Sequence, residues 1–290
     1  MTNIIKTAQL LAPQLKQVKN LLDICEKHDG FATKFYWNVN ERRVNKDLNE
    51  AMLLDDNNEC IAHISLYNFK RGELEICAMV HPEHRKQGIF TKLFKDIMSS
   101  MSIPYITHGL FICNTNAKCS IECLKKTNCT YQSTEYKMRL ENQDIPIASM
   151  YDLAMRRATN DDIDTIAIMD VACFNKDFDQ IKPYIKENLE NSDRKMYILT
   201  FMEKEIGKIH CHFRDEEVHI MDFCIIPEQQ NHGYGRFLLQ KTLRRLKKQT
   251  DKDITLDVMS DKPNAVNLYK SSGFVEYCSH QYWRYTINEE

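Results

Sequence analysis

The stretch QNHGYGR, Gln230 to Arg236, decides how the rest of the chain is interpreted. An apolar run from Val218 to Pro227, typical of a strand, precedes it, and a helical pattern from Phe237 to about Lys248 follows. Two glycines at such a junction leave backbone N–H groups exposed at the positive end of the helix dipole. The stretch therefore has the features of a diphosphate-binding loop. Because most glycine-rich turns bind nothing, the interpretation depends on what the remaining chain adds.

Length and composition are those of an ordinary globular protein with two domains. The chain has 290 residues, of which 43% are hydrophobic and 28% charged, and domains average roughly 150 residues. Lys and Arg number 39 against 41 Asp and Glu, a net charge of -2, so nothing indicates binding to nucleic acid or to an anionic membrane. No apolar run approaches the roughly 20 residues of a membrane span, and no signal peptide is recognisable. We therefore expect a cytoplasmic protein.

The 11 cysteines and 10 histidines do not form a recognisable metal site. No CxxC pair is present, and the scattered cysteines are predicted to be reduced, mostly buried thiols. His81 and His84 lack further ligands at zinc-like spacing, and neighbours such as Cys211 and His212 point to opposite faces of a strand. We expect no metal.

The same order of elements is predicted twice. The first copy reads as a helix around 18–25, strands at 51–54, 60–69 and 73–80, a glycine loop and helix after 85, a strand at 105–113, a helix at 117–126 and a strand at 135–140. The second reads as a helix after 162, strands at 196–201, 206–213 and 218–227, the loop and helix at 230–248, a strand at 254–259, a helix at 264–271 and a strand at 281–287.

A single offset of 145 residues relates landmarks of the two copies: Pro82 to Pro227, Arg85 to Gln230, and Gly88 to Gly233. A repeat of this length indicates tandem domains and not a solenoid. We predict an N-terminal domain over 1–145, a linker over 146–154 and a C-terminal domain over 155–290.

Two motifs make the second copy resemble the GNAT acyltransferase superfamily. The family loop is Gln or Arg, two variable residues, Gly, one variable residue, then Gly or Ala, and residues 230–235 fit every position. The run NAVNLYKSSGF at 264–274 is similar to the family's last helix and following turn. The resemblance implies an α/β (α+β) protein with two tandem acyl-CoA N-acyltransferase domains, each a bent mixed β-sheet flanked by helices.

The resemblance also implies where acetyl-CoA binds as cosubstrate. Its pantetheine pairs with the backbone at the end of the strand, and its diphosphate lies on the N–H groups of the loop. Asn264 is first of all a helix N-cap, with a second role near the cosubstrate. The implied binding residues are Cys224, Ile225, Ile226, Gln230, Asn231, His232, Gly233, Tyr234, Gly235, Arg236 and Asn264.

Acyl transfer to an amine needs a proton acceptor, a polariser for the carbonyl and a proton donor near the sulfur, because an alkylammonium must first lose a proton. By resemblance, Tyr269 is the donor and the Ile225 N–H the polariser. His219 lies where several family members carry a catalytic glutamate. Asp222, on the opposite face if the strand is regular, is a second candidate base, and Glu217 a third. A water chain alone is a further alternative.

The first copy departs from the family pattern. The offset places Leu124 where the second copy has Tyr269, and Phe90 where it has Gly235. The first copy is thus either a degenerate domain that supports the second or a second acetyl-CoA site. The residues of that possible second site are Met79, Val80, Arg85, Lys86, Gln87, Gly88, Ile89 and Phe90.

These features predict an N-acetyltransferase that transfers acetyl from acetyl-CoA to a primary amine of a small molecule or peptide, by direct attack in a ternary complex. One alternative is a non-catalytic acyl-CoA-binding sensor or partner protein. Another is an acyltransferase with a different acyl group or with a protein N-terminus as acceptor. The resemblance implies that the choice of acceptor depends on the loops between the first helix and the second strand of each copy, here the segments 31–50 and 175–194. The sequence is compatible with a monomer or a homodimer.

Overall fold

A computed structural model of the chain describes residues 3–37, 47–70, 72–100, 106–141 and 152–287. The chain divides into two compact units. Unit 1 comprises Met1–Thr134 and Ser279–Glu290, and unit 2 comprises Glu135–Cys278. Within the described ranges there are twelve strands and seven α-helices.

The elements follow one another in the same order in both copies. The first copy contains β1 (Asn3–Thr7), α1 (Ala12–Asp29), β2 (Glu50–Leu54), β3 (Cys60–Lys70), β4 (Glu73–Val80), α2 (Ile89–Ser99), β5 (His108–Asn114), α3 (Lys118–Lys125) and β6 (Cys129–Leu140). The second contains β7 (Leu153–Arg157), α4 (Ile163–Phe174), α5 (Phe178–Glu190), β8 (Arg194–Phe201), β9 (Lys204–Phe213), β10 (Glu217–Ile225), α6 (Tyr234–Lys247), β11 (Asp253–Met259), α7 (Pro263–Ser271) and β12 (Phe274–Thr286). Short 3₁₀ helices occupy Pro82–His84, Asn160–Asp162 and Pro227–Gln229.

The two units contain mixed sheets of identical topology. The strand order is β1-β2-β3-β4-β5-β12 in unit 1 and β7-β8-β9-β10-β11-β6 in unit 2. Neighbouring strands are antiparallel except for one parallel pair in each unit, β4 with β5 and β10 with β11. The predicted α/β fold with two tandem domains is confirmed.

The last strand of each copy ends in the other unit: residues 135–140 of β6 belong to unit 2, and residues 279–286 of β12 belong to unit 1. β6 pairs with β11 through Glu135 to Arg139, and β12 pairs with β5 through His280 to Thr286. The units therefore differ from the predicted boundaries at 145 and 155, which follow the repeat along the sequence and not the strand pairing. Of the predicted linker 146–154, residues 146–151 lie outside the described residues.

Alternation along the strands gives each sheet an apolar core on both faces. In unit 1, Leu53 packs with Leu93 of α2, whereas its neighbour Met52 packs with Leu21 of α1. Unit 2 has one core around α6 and another around α4. The helices that flank each sheet are held by these cores, because burying an aliphatic side chain contributes about 1.5–3 kcal/mol.

The predicted elements are present, but three further ones were missed. β1 and β7 are short strands that lack strong alternation, and α5 replaces a predicted loop. Pro183 lies inside α5, and proline ordinarily indicates a helix boundary. Asp177 nevertheless starts this helix, because its carboxylate accepts hydrogen bonds from the N–H groups of Asp179 and Gln180.

The helices carry no sign of a membrane span. Within the described ranges, none combines the length and the low polarity needed to cross a bilayer.

Candidate functional site

The parallel pair of unit 2 separates part-way along its length. β10 and β11 pair from Glu217 with Asp253 to Ile220 with Leu256, and no further. Beyond Ile220, β10 continues with only β9 beside it in the described chain. We call residues 221–226, on the side facing away from β9, the open edge of β10. Its unpaired backbone groups can hydrogen-bond an extended ligand as another strand would.

Hydrogen bonds to β9 and to the glycine loop determine which way the backbone groups of the open edge face. The Ile226 N–H donates to the Ile206 carbonyl on β9 at 2.9 Å. Because successive residues of a strand point their N–H groups to opposite sides, the Ile225 N–H faces the open side. The carbonyl of Ile225 is already used, since it accepts a hydrogen bond from Gln230 Nε2 at 3.0 Å.

A β-bulge interrupts β10 at the start of the open edge. The pairing with β9 jumps from Met221–His210 to Cys224–Lys208, so that residues 222 and 223 face a single residue of β9. Asp222 takes a left-handed φ of 46°. The expectation that Asp222 points away from the face of His219 held only for a regular strand. The bulge turns Asp222 toward His210, which shares a face with His212 and His219.

Asp222 is held by a fully buried histidine. His210 Nδ1 lies 3.3 Å from Asp222 Oδ2, and the Asp222 side chain is 30% exposed while that of His210 is 0%. Burial alone would raise the pKa of Asp222, but the hydrogen bond from His210 and the charge of Lys208 outweigh it, and the pKa is lowered. Asp222 is therefore ionised at neutral pH.

Lys208 belongs to a second buried pair on the same face. Its ammonium is 2.6 Å from Asp170 Oδ1 on α4, and both side chains are almost fully buried. Burial raises the pKa of Asp170 although the lysine charge opposes the shift. Lys208 lies on β9 opposite Cys224, so the pair fixes α4 against β9, next to the open edge of β10.

His219 has a different environment from Asp222. Its Nδ1 is 3.1 Å from Thr255 Oγ1, and Thr255 in turn donates to Glu217 at 2.7 Å. Thr255 therefore accepts from a His219 Nδ1–H, which leaves Nε2 unprotonated. Burial, together with the charge of Arg214, lowers the pKa of His219 to about 4. His219 is neutral at pH 7, but it is a weak base.

Tyr269 lies in the apolar core next to the open edge. Its ring centroid is 6.2 Å from that of Phe223 and 6.0 Å from that of Phe274. The residue is 8% exposed, and burial raises the pKa of its hydroxyl. In the described part of the chain, the hydroxyl has no hydrogen-bond partner. The Tyr269 hydroxyl is therefore protonated and able to donate a hydrogen bond to a ligand.

The glycine loop has the backbone of an anion cradle. Asn231 and Gly233 have φ values of 64° and 82°, and α6 begins directly after Gly233. Consecutive N–H groups in such a segment converge on one point at the helix N-terminus. A Cβ at Gly235 would lie 3.6–3.7 Å from Leu268, Ile225 and Phe223. The loop, the open edge and α7 therefore meet at Gly235.

Other side chains of the loop contact the protein. Arg236 donates to Ser271 Oγ at 2.8 Å, and the rings of His232 and Tyr234 stack at 5.4 Å. The predicted N-cap role of Asn264 is wrong. Lys262 is the N-cap and Pro263 the first helical residue, because the fixed φ of proline suits that position.

Unit 1 repeats the backbone of the loop closely. Lys86 and Gly88 have φ values of 63° and 75°, and α2 begins at Ile89. Arg85 Nε donates to the Val80 carbonyl at 3.0 Å, as Gln230 does to Ile225. The other two nitrogens of the Arg85 guanidinium donate hydrogen bonds to the Asp29 carboxylate, at 2.6 and 2.8 Å.

Unit 1 differs from unit 2 around this loop in two ways. Its parallel pair separates after Ile76 with Phe111, so Met79 and Val80 lie on an open edge, but β4 has no bulge there. Phe90, at the position of Gly235, packs on Phe94 at 5.7 Å and on Phe111 at 5.8 Å. Its ring is thus directed into the apolar core.

Sequence reasoning missed His210 and the bulge that brings Asp222 to it. A signal was present: six residues lie between Ile220 and Pro227, whereas five lie between the equivalent Ile76 and Pro82. Without the strand register, this one-residue difference could not be placed. Metal ligation has no support in the described ranges, where no three His, Cys, Asp or Glu side chains cluster in a ligating arrangement.

Comparison with known proteins agrees with this geometry. A profile of the acetyltransferase (GNAT) family matches residues 15–102 and 160–274, well over half of the chain. The chain belongs to this family, and one matched range lies in each of its two copies.

Solved structures of similar fold support the tandem arrangement. A GCN5-related N-acetyltransferase from Sphaerobacter thermophilus has a TM-score of 0.79 at 15% identity, over 99% of this chain and 96% of its own. A tandem GNAT protein from the clavulanic acid biosynthesis pathway has a TM-score of 0.73 at 9% identity, over 100% of both chains. At these identities the likeness concerns the fold alone.

Proposed function

We propose that the chain is an acetyl-CoA-dependent N-acetyltransferase whose working site is in unit 2, with a primary amine of a small molecule or peptide as acceptor. The observation that carries this proposal is the convergence at Gly235 of the glycine loop, the open edge of β10 and the helix bearing Tyr269. Family membership supports acyl transfer in general, and this convergence supports its assignment to unit 2.

The residues of unit 2 would divide the binding of acetyl-CoA between loop and strand. The N–H groups of residues 230–236 would receive the diphosphate. The backbone of Cys224 to Ile226 would pair with the pantetheine, whose amides have the spacing of a peptide. Gly233 is needed here because its φ of 82° is unfavourable for other residues.

The chemistry would be performed by three groups. The Ile225 N–H would hydrogen-bond the thioester carbonyl and stabilise the oxyanion that forms on attack. The Tyr269 hydroxyl would donate its proton to the leaving thiolate, in an apolar site that disfavours the unprotonated thiolate. Attack by the amine in a ternary complex needs no covalent enzyme intermediate.

Asp222 is the better candidate for the base. Both groups have lowered pKa values and are unprotonated at pH 7, so basicity does not separate them. Their positions do, because Asp222 lies on the open edge with its side chain 30% exposed, whereas His219 lies in the paired part of β10 and is 12% exposed. We expect Asp222→Asn to lower kcat by about 10²-fold, and His219→Gln to lower it much less. The reverse order would reassign the base to His219.

The test of the function is release of the CoA thiol from acetyl-CoA in the presence of a panel of primary amines. The proposal predicts acceptor-dependent thiol release that Gly233→Val abolishes. Binding of acetyl-CoA without acetylation of any amine would instead favour an acyl-CoA sensor. Turnover with a longer acyl-CoA, or with peptide N-termini alone, would redefine the acyl group or the acceptor but keep the site.

A further inference from the structure

The ammonium group of Lys34 in unit 1 is held by two tyrosines, Tyr282 and Tyr36. Lys34 follows α1, and its Nζ donates to the Tyr282 hydroxyl at 2.7 Å. The same Nζ lies 5.6 Å from the centre of the Tyr36 ring. A hydroxyl acceptor beside an aromatic ring is an arrangement that can hold an alkylammonium group.

A buried network supports this position. The Tyr36 hydroxyl donates to Glu75 Oε2 at 2.6 Å, and the Tyr36 ring packs at 4.8 Å on Tyr67, which is almost fully buried. Burial and the Glu75 carboxylate raise the pKa of Tyr36, so its hydroxyl keeps its proton. The ring beneath the ammonium is therefore fixed from two sides.

The strand register places this cluster at the point where the sheet of unit 1 opens. Glu75 pairs with Leu110 one residue before the parallel pair ends, the position that His219 has in unit 2. Tyr282 pairs with Ile112, one residue beyond the last paired residue of β5. The cluster thus extends to both flanks of the opening, on the side of the sheet covered by α1: Lys34 contacts Tyr282 beside β5, and Tyr36 contacts Glu75 on β4.

Unit 1 also retains features that fit acetyl-CoA. Its glycine loop has φ values similar to those in unit 2, and Arg85 links it to the Val80 carbonyl as Gln230 links the unit 2 loop to Ile225. A Cβ at Gly88 would meet nothing within 4 Å. Residues 77–80 extend beyond the last parallel pair as residues 221–225 do in unit 2. Phe90 turns into the core and leaves the loop unobstructed.

We propose that Lys34 is an internal acyl acceptor: its Nζ occupies an alkylammonium site in unit 1 and is acetylated there by acetyl-CoA. The inference rests on the use of acetyl-CoA proposed above. In the step, the Nζ–C bond forms and the C–S bond of the thioester breaks. The products are Nε-acetyl-Lys34, CoASH and one proton released to water. Acetylation removes the charge of Lys34, so the product no longer fits the site as an ammonium.

The experiment follows acetylation of the full chain with acetyl-CoA by peptide mass spectrometry over time. Lys19, exposed on α1 in the same unit, reports non-enzymatic labelling. We expect Lys34 to be labelled at least about tenfold faster than Lys19, because a positioned amine reacts at a raised effective concentration. Equal rates at the two lysines would overturn the proposal.

Two variants separate positioning from general reactivity. Tyr282→Phe keeps the ring but removes the hydroxyl that accepts from Nζ, and we expect it to lower the Lys34 rate severalfold without changing the Lys19 rate. The matched control, Tyr277→Phe, alters an exposed tyrosine of unit 2 and should change neither rate. An unchanged Lys34 rate in folded Tyr282→Phe contradicts the proposal.

A binding measurement tests the site without acetyl-CoA. Lys34→Ala leaves room for the three carbons and the nitrogen of n-propylammonium, which should raise the thermal midpoint of this variant more than n-propanol does. Equal effects of the two compounds would show that no ammonium site exists. If calorimetry detects no acetyl-CoA binding at all, both proposals fail; binding with equal Lys34 and Lys19 rates removes the Lys34 proposal alone.

Discussion

Tyr269 has a buried ring, 8% exposed as a residue, and its hydroxyl has no hydrogen-bond partner within the described chain. The hydroxyl oxygen itself is not fully buried, because it is absent from the enclosed polar atoms that lack a partner. The hydroxyl is therefore able to donate a hydrogen bond to a bound substrate. Phe223 and Phe274 pack against the Tyr269 ring, and being apolar they form no hydrogen bond with its hydroxyl.

We predict that Tyr269→Phe lowers kcat on the order of 10²-fold, because the leaving thiolate loses its proton donor. Affinity for acetyl-CoA should change little, since the ring remains. Steady-state kinetics together with calorimetry measure both. Tyr277→Phe, at an exposed tyrosine of the same unit, is the control; loss of activity in both variants, or in neither, contradicts the role of Tyr269.

His219 predicts a dependence of stability on pH. Its folded pKa of about 4 lies below the ordinary value of about 6.5, so folding favours the neutral form. The stabilisation is complete above pH 6.5 and is lost as the pH falls toward 4. At pH 5 the loss is about 2 kcal/mol.

Urea unfolding at pH 7 and pH 5 measures this loss for unit 2. His219→Gln should reduce the difference between the two pH values, because glutamine does not titrate. The same difference in the variant and the wild type would show that other groups cause the acid sensitivity.

At the scale of elements, β9 determines where the open edge lies. Gly207 faces Ile225, and a Cβ there would come within 2.6 Å of the Cys224 carbonyl oxygen. That oxygen belongs to the backbone and cannot move without shifting β10. The open edge therefore depends on the absence of a side chain on the neighbouring strand.

We predict that Gly207→Ala destabilises unit 2 by about 1–3 kcal/mol and weakens acetyl-CoA binding at least tenfold, measured by urea unfolding and calorimetry. The matched control is Gly109→Ala in unit 1. Its Cβ would meet the terminal Cδ1 of Ile76 at 2.6 Å, and such a flexible end can rotate away. An equal effect of the two substitutions on acetyl-CoA binding would contradict the account.

Elements with strong periodicity could be predicted from the sequence, and those decided by tertiary contacts could not. The face of Val18, Leu21, Leu22 and Cys25 on α1 is buried as its spacing indicates. The bulge at Asp222 depends on the register with β9, which no local pattern contains. The direction of the Asp222 side chain therefore had to come from the structure, whereas the glycine loop and Tyr269 could be selected by their motifs.

At the scale of the whole molecule, strand β12 is divided between the two units. Phe274 at its start is buried in unit 2, and Tyr285 near its end packs at 5.2 Å on Phe94 in unit 1. Domain boundaries drawn from the repeat put both residues in one domain, because the offset of 145 residues records duplication and contains no information on strand pairing.

The two tryptophans, Trp37 and Trp283, both belong to unit 1, so tryptophan fluorescence reports its unfolding. We predict that Tyr285→Ala lowers the stability seen by fluorescence by about 2 kcal/mol, and that Phe274→Ala lowers the stability of unit 2 by about 3–5 kcal/mol. Far-UV circular dichroism follows both units. A larger fluorescence shift from Phe274→Ala than from Tyr285→Ala would contradict the division of β12.

The central claim, that the loop at 230–236 binds acetyl-CoA for the working site, is tested most directly by calorimetric titration of two matched variants. Gly233→Val and Gly88→Val each place a β-branched residue at a left-handed φ, 82° and 75° in the wild type, which is strained for such residues. We predict two sites in the wild type, loss of the unit 2 site in Gly233→Val, and retention of that site in Gly88→Val. Wild-type affinity and stoichiometry in a folded Gly233→Val variant would contradict the account.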